Sequence, residues 1–351
     1  MPTFARFTLN TTQDSLHVKA KDLKYNHGEV PVHGVEGRVL DIENGLESVR
    51  SLCWSPDGSV LVCAGDDKDI KLVDFNSNAV SRTLQGHDAR VWSVGFNNDG
   101  SLMASASKDH TIRLWRIENG GAVSVPLKGH TGEVNSVALQ PNGNLIASGS
   151  DDCTVKLWEV DGDNHATLKT TLDGHSAWVR AVAFSADGRF LATASNDKSV
   201  RLWAIQDGKV TQVGGPLLGH SLGVRAISFS PDGKCLASAS FDNTIVIWSL
   251  TSGEPKLKRT LYGHPSGVWS LCFSPDSHLI ASAGFDNVIR VWDAAAGRQI
   301  CDPLKGHTSA INTLAFSPRG HAIASGGDDG TVRLWELSRP KAEKDVLDSS
   351  G

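Results

Sequence analysis

The sequence predicts an all-β repeat protein whose units close into a single ring. Six times, a Gly-His pair is followed by an Asp 22 residues after the His and by a Trp 28 residues after it. Successive His residues of this series lie 43 to 45 residues apart. A unit of this length cannot bury its own apolar face and must stack on its neighbours. A length of 351 residues would by itself suggest two domains, but a closed ring of repeats folds as one.

The six regular units share this spacing of His, Asp and Trp. They contain His87, Asp109 and Trp115; His130, Asp152 and Trp158; His175, Asp197 and Trp203; His220, Asp242 and Trp248; His264, Asp286 and Trp292; and His307, Asp329 and Trp335. A seventh, degenerate unit lies one period upstream. There Asn44-Gly45 stands at the place of Gly-His, Asp67 is in register, and Val73-Asp74 replaces the Trp pair. Seven units are therefore present.

Each unit is predicted to form short strands separated by turns. In the second unit, Val91, Val94 and Phe96 are apolar with a 3-then-2 spacing, which indicates a bulged strand. Leu102 to Ser107 is the next strand, and Thr111 to Trp115 alternates apolar residues on one face. Small residues dominate the second strands, so neighbouring four-stranded sheets can approach closely. No long helix is predicted.

Composition excludes several classes of protein. The chain is 40% hydrophobic and 21% charged with a net charge of −5, and no apolar run approaches the ~20 residues of a membrane span. The N-terminus lacks the apolar core of a signal peptide, so we expect a cytoplasmic or nuclear protein. The six cysteines show no C-x-x-C spacing, which disfavours disulfides and zinc. Scattered Lys and Arg form no basic stripe, so we expect no nucleic acid partner and no membrane.

These residues resemble the WD-repeat family of β-propellers over roughly residues 37 to 337. Each regular unit has the Gly-His start and the Trp finish of that family, although only Trp292-Asp293 is the literal dipeptide. The resemblance implies seven blades, with the outermost strand of the last blade supplied by the N-terminus. Gly37 to Ile42 fits this closing strand, beside Thr331 to Trp335, and would remove a free sheet edge.

The same resemblance divides the chain into three parts. We expect an N-terminal extension at residues 1–36, the seven-bladed propeller at 37–337, and a polar, disordered tail at 338–351.

A recurring His, hydroxyl and Asp looks like a set of catalytic triads. The hydroxyl residue lies 18 residues after each His, at Ser105, Ser148, Thr193, Ser238, Ser282 and Ser325. A hydrolase would need an exposed Ser beside an oxyanion hole. Indole is only a donor, so Trp115 can satisfy Ser105, whose hydroxyl passes to His87 and His87 to Asp109. This series of hydrogen bonds matches the structural tetrad of the family. We therefore expect no catalytic, cofactor-binding or metal-binding residues. The first unit, with Cys63 at the hydroxyl position, lacks a tetrad and must rely on packing.

Partner binding is expected at positions where the repeats differ from one another. By the resemblance, the residue five after each His begins the innermost strand near the channel mouth, on the face that partners use most. Three positions in each unit vary between the repeats. They are the residue five after the His, the residue two before that one, and the residue just before the tetrad Asp. The predicted partner-binding residues are Arg50, Arg90, Trp92, Trp178, Arg180, Arg225, Phe241, Trp269 and Phe285. Aromatic residues and Arg dominate interface hot spots, although some of these, particularly Trp92 and Trp269, could instead plug the channel.

Acidic residues on the same face leave the charge of the partner open. They are Asp66, Asp151, Asp328 and Glu133. These residues could seat a basic peptide or could be solvated turn residues.

The expected function is a non-catalytic scaffold or adaptor that binds peptides or loops of other proteins, with the propeller itself monomeric within a complex. One alternative is the ligand-sensing repeat domain of a larger signalling ATPase, although the initiating Met and the closing strand favour a complete chain. Another is a propeller enzyme with a central-channel site. The channel-mouth positions offer Arg, Asn and Trp but no His, which disfavours the enzyme.

Overall fold

The computed structural model describes residues 17–18, 35–40, 47–117, 126–162 and 165–337. These residues form thirty strands in seven antiparallel sheets, and the described ranges contain no helix. No described segment is therefore a helix long and apolar enough to cross a membrane. Each sheet is one blade of a propeller.

The blades, numbered along the chain, follow two N-terminal strands, β1 (His17–Val18) and β2 (Val35–Leu40). Blade 1 contains β3 (Val49–Trp54), β4 (Val60–Gly65), β5 (Ile70–Asp74) and β6 (Ala79–Leu84). Blade 2 contains β7 (Val91–Phe96), β8 (Leu102–Ser107), β9 (Thr111–Arg116) and β10 (Pro126–Lys128). Blade 3 contains β11 (Val134–Leu139), β12 (Leu145–Ser150), β13 (Val155–Val160) and β14 (Ala166–Leu172). Blade 4 contains β15 (Val179–Phe184), β16 (Phe190–Ser195), β17 (Ser199–Gln206), β18 (Lys209–Gln212) and β19 (Leu217–Leu218).

The remaining three blades repeat this order. Blade 5 contains β20 (Val224–Phe229), β21 (Cys235–Ser240), β22 (Ile245–Ser249) and β23 (Lys256–Leu261). Blade 6 contains β24 (Val268–Phe273), β25 (Leu279–Gly284), β26 (Val288–Asp293) and β27 (Leu304–Lys305). Blade 7 contains β28 (Ile311–Phe316), β29 (Ala322–Gly327) and β30 (Val332–Leu337), followed in the sheet by β2 and β1.

The ring is closed, as the sequence predicts. The first strand of each blade contacts the first strands of both neighbouring blades, and β28 of blade 7 contacts β3 of blade 1. The seven-bladed all-β fold is confirmed. Because the first strands contact one another all around the ring, the first strand of each blade is innermost and lines the central channel.

The closing strand comes from the N-terminal side of the chain. Strand β2 pairs antiparallel with β30 from Val35 opposite Leu337 to Leu40 opposite Val332. The strand therefore begins at Val35, two residues before the expected Gly37, while Asp41 and Ile42 lie outside the described residues. Most of the predicted extension at 1–36 and the predicted tail at 338–351 lie outside them as well.

Every innermost strand carries a β-bulge at the same place. The ladder between the first two strands shifts register across the second residue of the strand, for example between Val91 and Ser93. A bulge leaves one residue out of the ladder and re-aims its side chain. The bulged residues are Arg50, Trp92, Asn135, Arg180, Arg225, Trp269 and Asn312. These are the channel-mouth positions of the sequence analysis, and each is the second residue of its strand.

The core lies between adjacent blades. Small residues of one blade, such as Ala104 and Ala106, pack against Val134 and Val137 of the next. Among the second strands, the approach to the next blade is closest at Gly326, where a Cβ would lie 2.3 Å from Cγ1 of Val49. Blade stacking therefore depends on small residues in the second strands, as the sequence pattern predicts.

Candidate functional site

Each predicted set of His, hydroxyl, Asp and Trp forms one hydrogen-bonded chain. In blade 2, the indole N–H of Trp115 donates to Ser105 Oγ at 2.7 Å. Ser105 Oγ lies 2.7 Å from His87 Nε2, and His87 Nδ1 lies 2.7 Å from the carboxylate of Asp109. These hydrogen bonds link the second strand, the third strand, the turn between them and the loop that precedes the first strand.

Blades 3 to 7 repeat this chain. It joins His130, Ser148, Asp152 and Trp158; His175, Thr193, Asp197 and Trp203; His220, Ser238, Asp242 and Trp248; His264, Ser282, Asp286 and Trp292; and His307, Ser325, Asp329 and Trp335. Over all six blades the indole-to-hydroxyl distances run from 2.7 Å, as at Trp292, to 3.1 Å at Trp203.

These chains are suited to holding a blade together rather than to nucleophilic attack. Ser105 is 0% exposed, and its oxygen already accepts from the indole while its proton faces the imidazole. Burial alone would raise the pKa of Asp109, but hydrogen bonds from His87 and Thr111 hold that pKa well below its usual range. The carboxylate therefore stays ionised as the acceptor at the end of the chain.

Blade 6 shows a variation that the spacing pattern did not predict. In blade 2, the tetrad Asp109 also accepts from the backbone N–H of Asp88 and from the Thr111 hydroxyl. In blade 6 these two donors are replaced by Pro265 and Val288. The guanidinium of Arg290 contacts the Asp286 carboxylate instead. The sequence signal for this variation was the presence of both Pro265 and Val288, because Pro265 has no backbone N–H and Val288 has no hydroxyl to donate to Asp286.

Blade 1 lacks the chain, as the sequence indicates. Cys63 and Val73 occupy the hydroxyl and Trp positions and are fully buried, while Gly45 lies outside the described residues. Asp67 Oδ1 has no hydrogen-bond partner among the described residues, and the ammonium of Lys71 lies 3.8 Å from Oδ2. Burial raises the pKa of Asp67 to about 6. The Asp of blade 1 thus lacks the imidazole donor that its equivalents have, because Gly45 stands at the His position.

The bulged strands and the adjoining loops and turns bring the nine predicted partner-binding residues into three groups around the channel mouth. We call this side of the ring the top face. The first group, which we call the aromatic cluster, consists of Arg225, Phe241, Trp269 and Phe285. The Trp269 ring centroid lies 6.2 Å from that of Phe241 and 4.9 Å from that of Phe285, both in edge contacts. Arg225 Cζ lies 5.2 Å from the Trp269 ring centroid, a distance typical of a cation–π contact.

The second group consists of Arg50, Arg90 and Trp92 of blades 1 and 2. Cζ of Arg50 lies 5.4 Å and Cζ of Arg90 5.3 Å from the Trp92 ring centroid. The Trp92 indole donates to Glu133 of blade 3 at 3.0 Å. Arg50 makes two hydrogen bonds to Asp66, of 2.9 and 3.0 Å. This group is tied together by carboxylates.

The third group consists of Trp178 and Arg180 of blade 4. Arg180 Cζ lies 4.6 Å from the Trp178 ring centroid, and the guanidinium bonds to Asn135 at 3.2 Å. Trp178 is 46% exposed and Phe285 of the aromatic cluster 48%. Arg90, Trp92, Phe241 and Trp269 are partly buried. The three groups therefore present one large exposed ring at blade 4 and another at blade 6.

The acidic residues of the top face are engaged by its own cations and donors. Asp66 bonds to Arg50, and Asp151 lies 3.4 Å from Arg180 Nη1. Asp328 accepts from Arg50 at 2.9 Å and from Asn312 at 2.8 Å. Glu133 lies 3.2 Å from the Lys108 ammonium. None of these four is a free solvated turn residue.

Comparison with known proteins identifies the family. The repeat described as WD40, "WD domain, G-beta repeat", matches seven times, at residues 40–74, 78–116, 121–159, 166–204, 211–249, 255–293 and 298–336. The chain belongs to the WD40 family. WD40 repeats thus span most of the chain, and each match covers the strands that lead to one Trp or, in the first unit, to Val73-Asp74.

Individual relatives share short stretches with this WD40 chain. COMPASS component SWD3 of Saccharomyces cerevisiae is 39% identical over 69 residues, which are 20% of this chain and 22% of the relative. Human pre-mRNA-processing factor 19 is 40% identical over 68 residues, 19% of this chain and 13% of the relative. Mouse NACHT domain- and WD repeat-containing protein 1 is 35% identical over 74 residues, 21% of this chain and 5% of the relative. The chain thus matches less than a quarter of the length of each of these relatives.

Proposed function

We propose that this WD40 propeller is a non-catalytic scaffold or adaptor that binds a peptide or loop of a partner protein on its top face. WD-repeat relatives are typically scaffolds or adaptors in protein interactions. The observation that carries the proposal is the grouping of five aromatic side chains and four Arg side chains on one face. Tyr, Trp and Arg, with other aromatic residues, are enriched where partners bind most strongly.

The framework does not require these residues. Tetrads stabilise blades 2 to 7, and apolar packing stabilises blade 1. The bulged positions are therefore free to vary among Arg, Trp and Asn. A bulge that turns one side chain per blade toward the channel mouth provides a set of seven positions on a rigid ring. Rigid presentation lowers the entropy cost of binding.

The proposal includes a single copy of the propeller within a larger complex, in the cytoplasm or the nucleus. The top face offers separate rings at blades 4 and 6, which favours an extended peptide or loop that crosses the channel mouth over a compact ligand.

The test uses the two most exposed rings of the face. The principal partner is first identified by affinity purification. The double variant Trp178→Ala with Phe285→Ala is expected to lower the affinity for this partner by about thirtyfold or more. Calorimetric or surface-plasmon titration measures the affinity, and thermal melting checks the fold.

A matched control is available on the outermost strands. Leu168 and Leu257 are 47% and 51% exposed, close to the exposure of Trp178 and Phe285, but lie on β14 and β23 at the outside of the ring. Leu168→Ala with Leu257→Ala is expected to leave the affinity unchanged. Equal affinities for both double variants and the wild type would contradict binding at the top face.

A second candidate is the ligand-sensing repeat region of a larger signalling ATPase. The match to NACHT domain- and WD repeat-containing protein 1 favours it, because that relative carries another kind of domain beside its repeats. Genomic context and the mass of the endogenous protein distinguish this candidate, since a much longer product would support it.

A further inference from the structure

We propose that the aromatic cluster binds a carboxylate side chain of the partner, held by Arg225 and Trp269, with an adjoining apolar side chain packed on Phe285. This inference rests on the proposed function and specifies the partner's chemistry. Its basis is a comparison of two Arg–Trp pairs that occupy equivalent places in the ring. One pair is Arg50 with Trp92 in blades 1 and 2, and the other is Arg225 with Trp269 in blades 5 and 6.

The two pairs have the same internal geometry. Each Arg and each Trp is the bulged residue of an innermost strand, and the Trp follows the Arg by one blade. The guanidinium-to-ring distances are 5.4 Å for Arg50 and Trp92 and 5.2 Å for Arg225 and Trp269. The pairs therefore differ only in what surrounds them.

Three carboxylates surround the first pair, and each is replaced around the second. Asp66 of blade 1 lies just before the repeat Asp, and Phe241 occupies the equivalent position in blade 5. Asp328 occupies this position in blade 7, which precedes blade 1 in the ring, and Asn196 occupies it in blade 4, which precedes blade 5. Glu133, which accepts from the Trp92 indole, becomes Ala310. The second site is thus a copy of the first from which every anion has been removed.

The cations of the top face differ accordingly. Arg50, Arg90, Arg180 and Lys108 each lie within salt-bridge distance of a carboxylate. Arg225 has no such partner among the residues that the structure describes. Its hydrogen-bond contact is the Arg180 carbonyl oxygen at a long 3.5 Å. A partly buried cation without a counter-ion is costly, and a carboxylate that forms charge-assisted bonds offsets that cost.

The protonation state of Arg225 agrees with a site for an anion. Burial, and after it the positive charges of Arg180 and Arg50, lowers the pKa of Arg225 to about 10. The guanidinium therefore remains charged at pH 7 while being less well solvated than a surface Arg. An entering carboxylate would restore the charge balance that Asp66 and Asp328 provide for Arg50.

The indole N–H of Trp269 is the second unsatisfied group of the site. It is buried and has no acceptor within the described part of the chain, whereas the Trp92 N–H donates to Glu133 at 3.0 Å. A buried donor without an acceptor costs free energy that an acceptor from a partner would recover. One carboxylate has two oxygens and can accept from both Arg225 and Trp269.

In the inferred complex, the Phe285 ring moves to admit the carboxylate to the buried indole N–H of Trp269. The Phe285 ring lies 4.9 Å from that of Trp269 and is half exposed. A Cβ at Gly267 would lie 3.2 Å from Phe285 Cδ2 and 3.3 Å from Phe241 Cδ1, so the glycine gives both rings room. The displaced Phe285 would present its face to an apolar side chain beside the partner's carboxylate.

The experiment selects random peptides by phage display on the purified full chain. The expected consensus is an Asp or Glu next to a large apolar residue. The best synthetic peptide should bind about tenfold more weakly after its own Glu→Gln or Asp→Asn change, and about tenfold more weakly to Arg225→Gln. Combining the two changes should lower the affinity little more than either change alone, because both remove the same contact between the peptide carboxylate and Arg225.

Two further variants separate binding from folding. Ala310→Glu supplies an internal carboxylate beside Trp269, at the position equivalent to that of Glu133 beside Trp92. It should lower the affinity for the peptide about tenfold while preserving the melting temperature. Arg189→Gln, at a 75% exposed side chain in the turn between β15 and β16, away from the channel mouth, should bind the peptide as the wild type does.

Several results would overturn the inference. They are a basic or uncharged consensus, no consensus at all, or an acidic peptide that binds Arg225→Gln as tightly as the wild type. If the partner is lost by Trp178→Ala with Phe285→Ala but retained by Arg225→Gln and Ala310→Glu, the top face binds partners and the inferred chemistry is wrong. If every variant retains the partner, the proposed function fails as well.

Discussion

Blades 1 and 2 are neighbours with the same four-stranded ladder but different interiors. Ser105 and Trp115 of blade 2 belong to a continuous hydrogen-bonded chain, whereas Cys63 and Val73 of blade 1 pack in an apolar cluster. All four side chains are buried to the same extent. The difference teaches that a blade can form without a tetrad, provided that packing against its neighbours replaces it.

Blade 1 has no tetrad and depends on packing against its neighbours, including blade 7. Its cluster includes Leu61 and Val73 together with Ala324 and Leu334 of blade 7, and it includes Leu40 of the closing strand. Apolar packing of this kind stabilises in proportion to buried area, but it leaves Oδ1 of Asp67 without a hydrogen-bond donor among the described residues.

Deleting residues 1–43 should have the largest effect on this dependence. The deletion removes β2, which forms six residue pairs with β30 and contributes Leu40 to the blade 1 cluster. The expected loss is on the order of 5 kcal/mol or more, from ladder bonds of roughly 1 kcal/mol each and the lost apolar burial. Deleting residues 1–34, which keeps β2, should be much milder. Melting curves and hydrogen exchange compare the two truncations, and equal stability would mean that β2 does not secure the ring.

The matched substitutions Ser105→Ala and Cys63→Ala should separate tetrad from packing. Both remove one buried heavy atom at the equivalent strand position, but only Ser105→Ala leaves an indole and an imidazole without their shared partner. Ser105→Ala is expected to cost about 2 to 3 kcal/mol and Cys63→Ala about 1 kcal/mol. Urea unfolding of the two variants measures the difference. Equal costs would remove the energetic distinction between the two blades.

The smallest expected effect is a gain of stability in Asp67→Asn. Because burial raises the pKa of Asp67 to about 6, its ionised form opposes folding at pH 7. The carboxyl is partly exposed, so the gain is less than about 1 kcal/mol. It should vanish as the pH falls from 7 through 6 to 4, since the native state of the wild type then binds the proton. Asp109→Asn, whose parent carboxyl has a lowered pKa, should instead be destabilising at pH 7. A gain for Asp67→Asn that is independent of pH would contradict this account.

Much of the fold could be predicted because its determinants are local or periodic. The spacing of 18, 22 and 28 residues after His87 names the members of its hydrogen-bonded chain, and the 3-then-2 spacing at Val91 predicts the bulge that the structure contains. The closing strand followed from the family resemblance, but it begins at Val35 rather than Gly37, and its predicted end at Ile42 lies outside the described residues. The replacement of the usual donors by Arg290 was missed, because Arg occurs at that position in other blades without taking this role.

The sequence by itself determined the number of blades, the tetrads, the missing tetrad of blade 1 and the set of variable residues on one face. The tertiary structure alone decided which of those residues are neutralised. Arg50 reaches Asp328 across 278 residues of chain, and Trp92 reaches Glu133 across a blade boundary, whereas Arg225 and Trp269 find no equivalent anion among the described residues. Periodicity specifies a residue's place within its own blade. Charge balance depends on what the adjacent blades bring within a few ångströms, and that follows only from the closure of the ring.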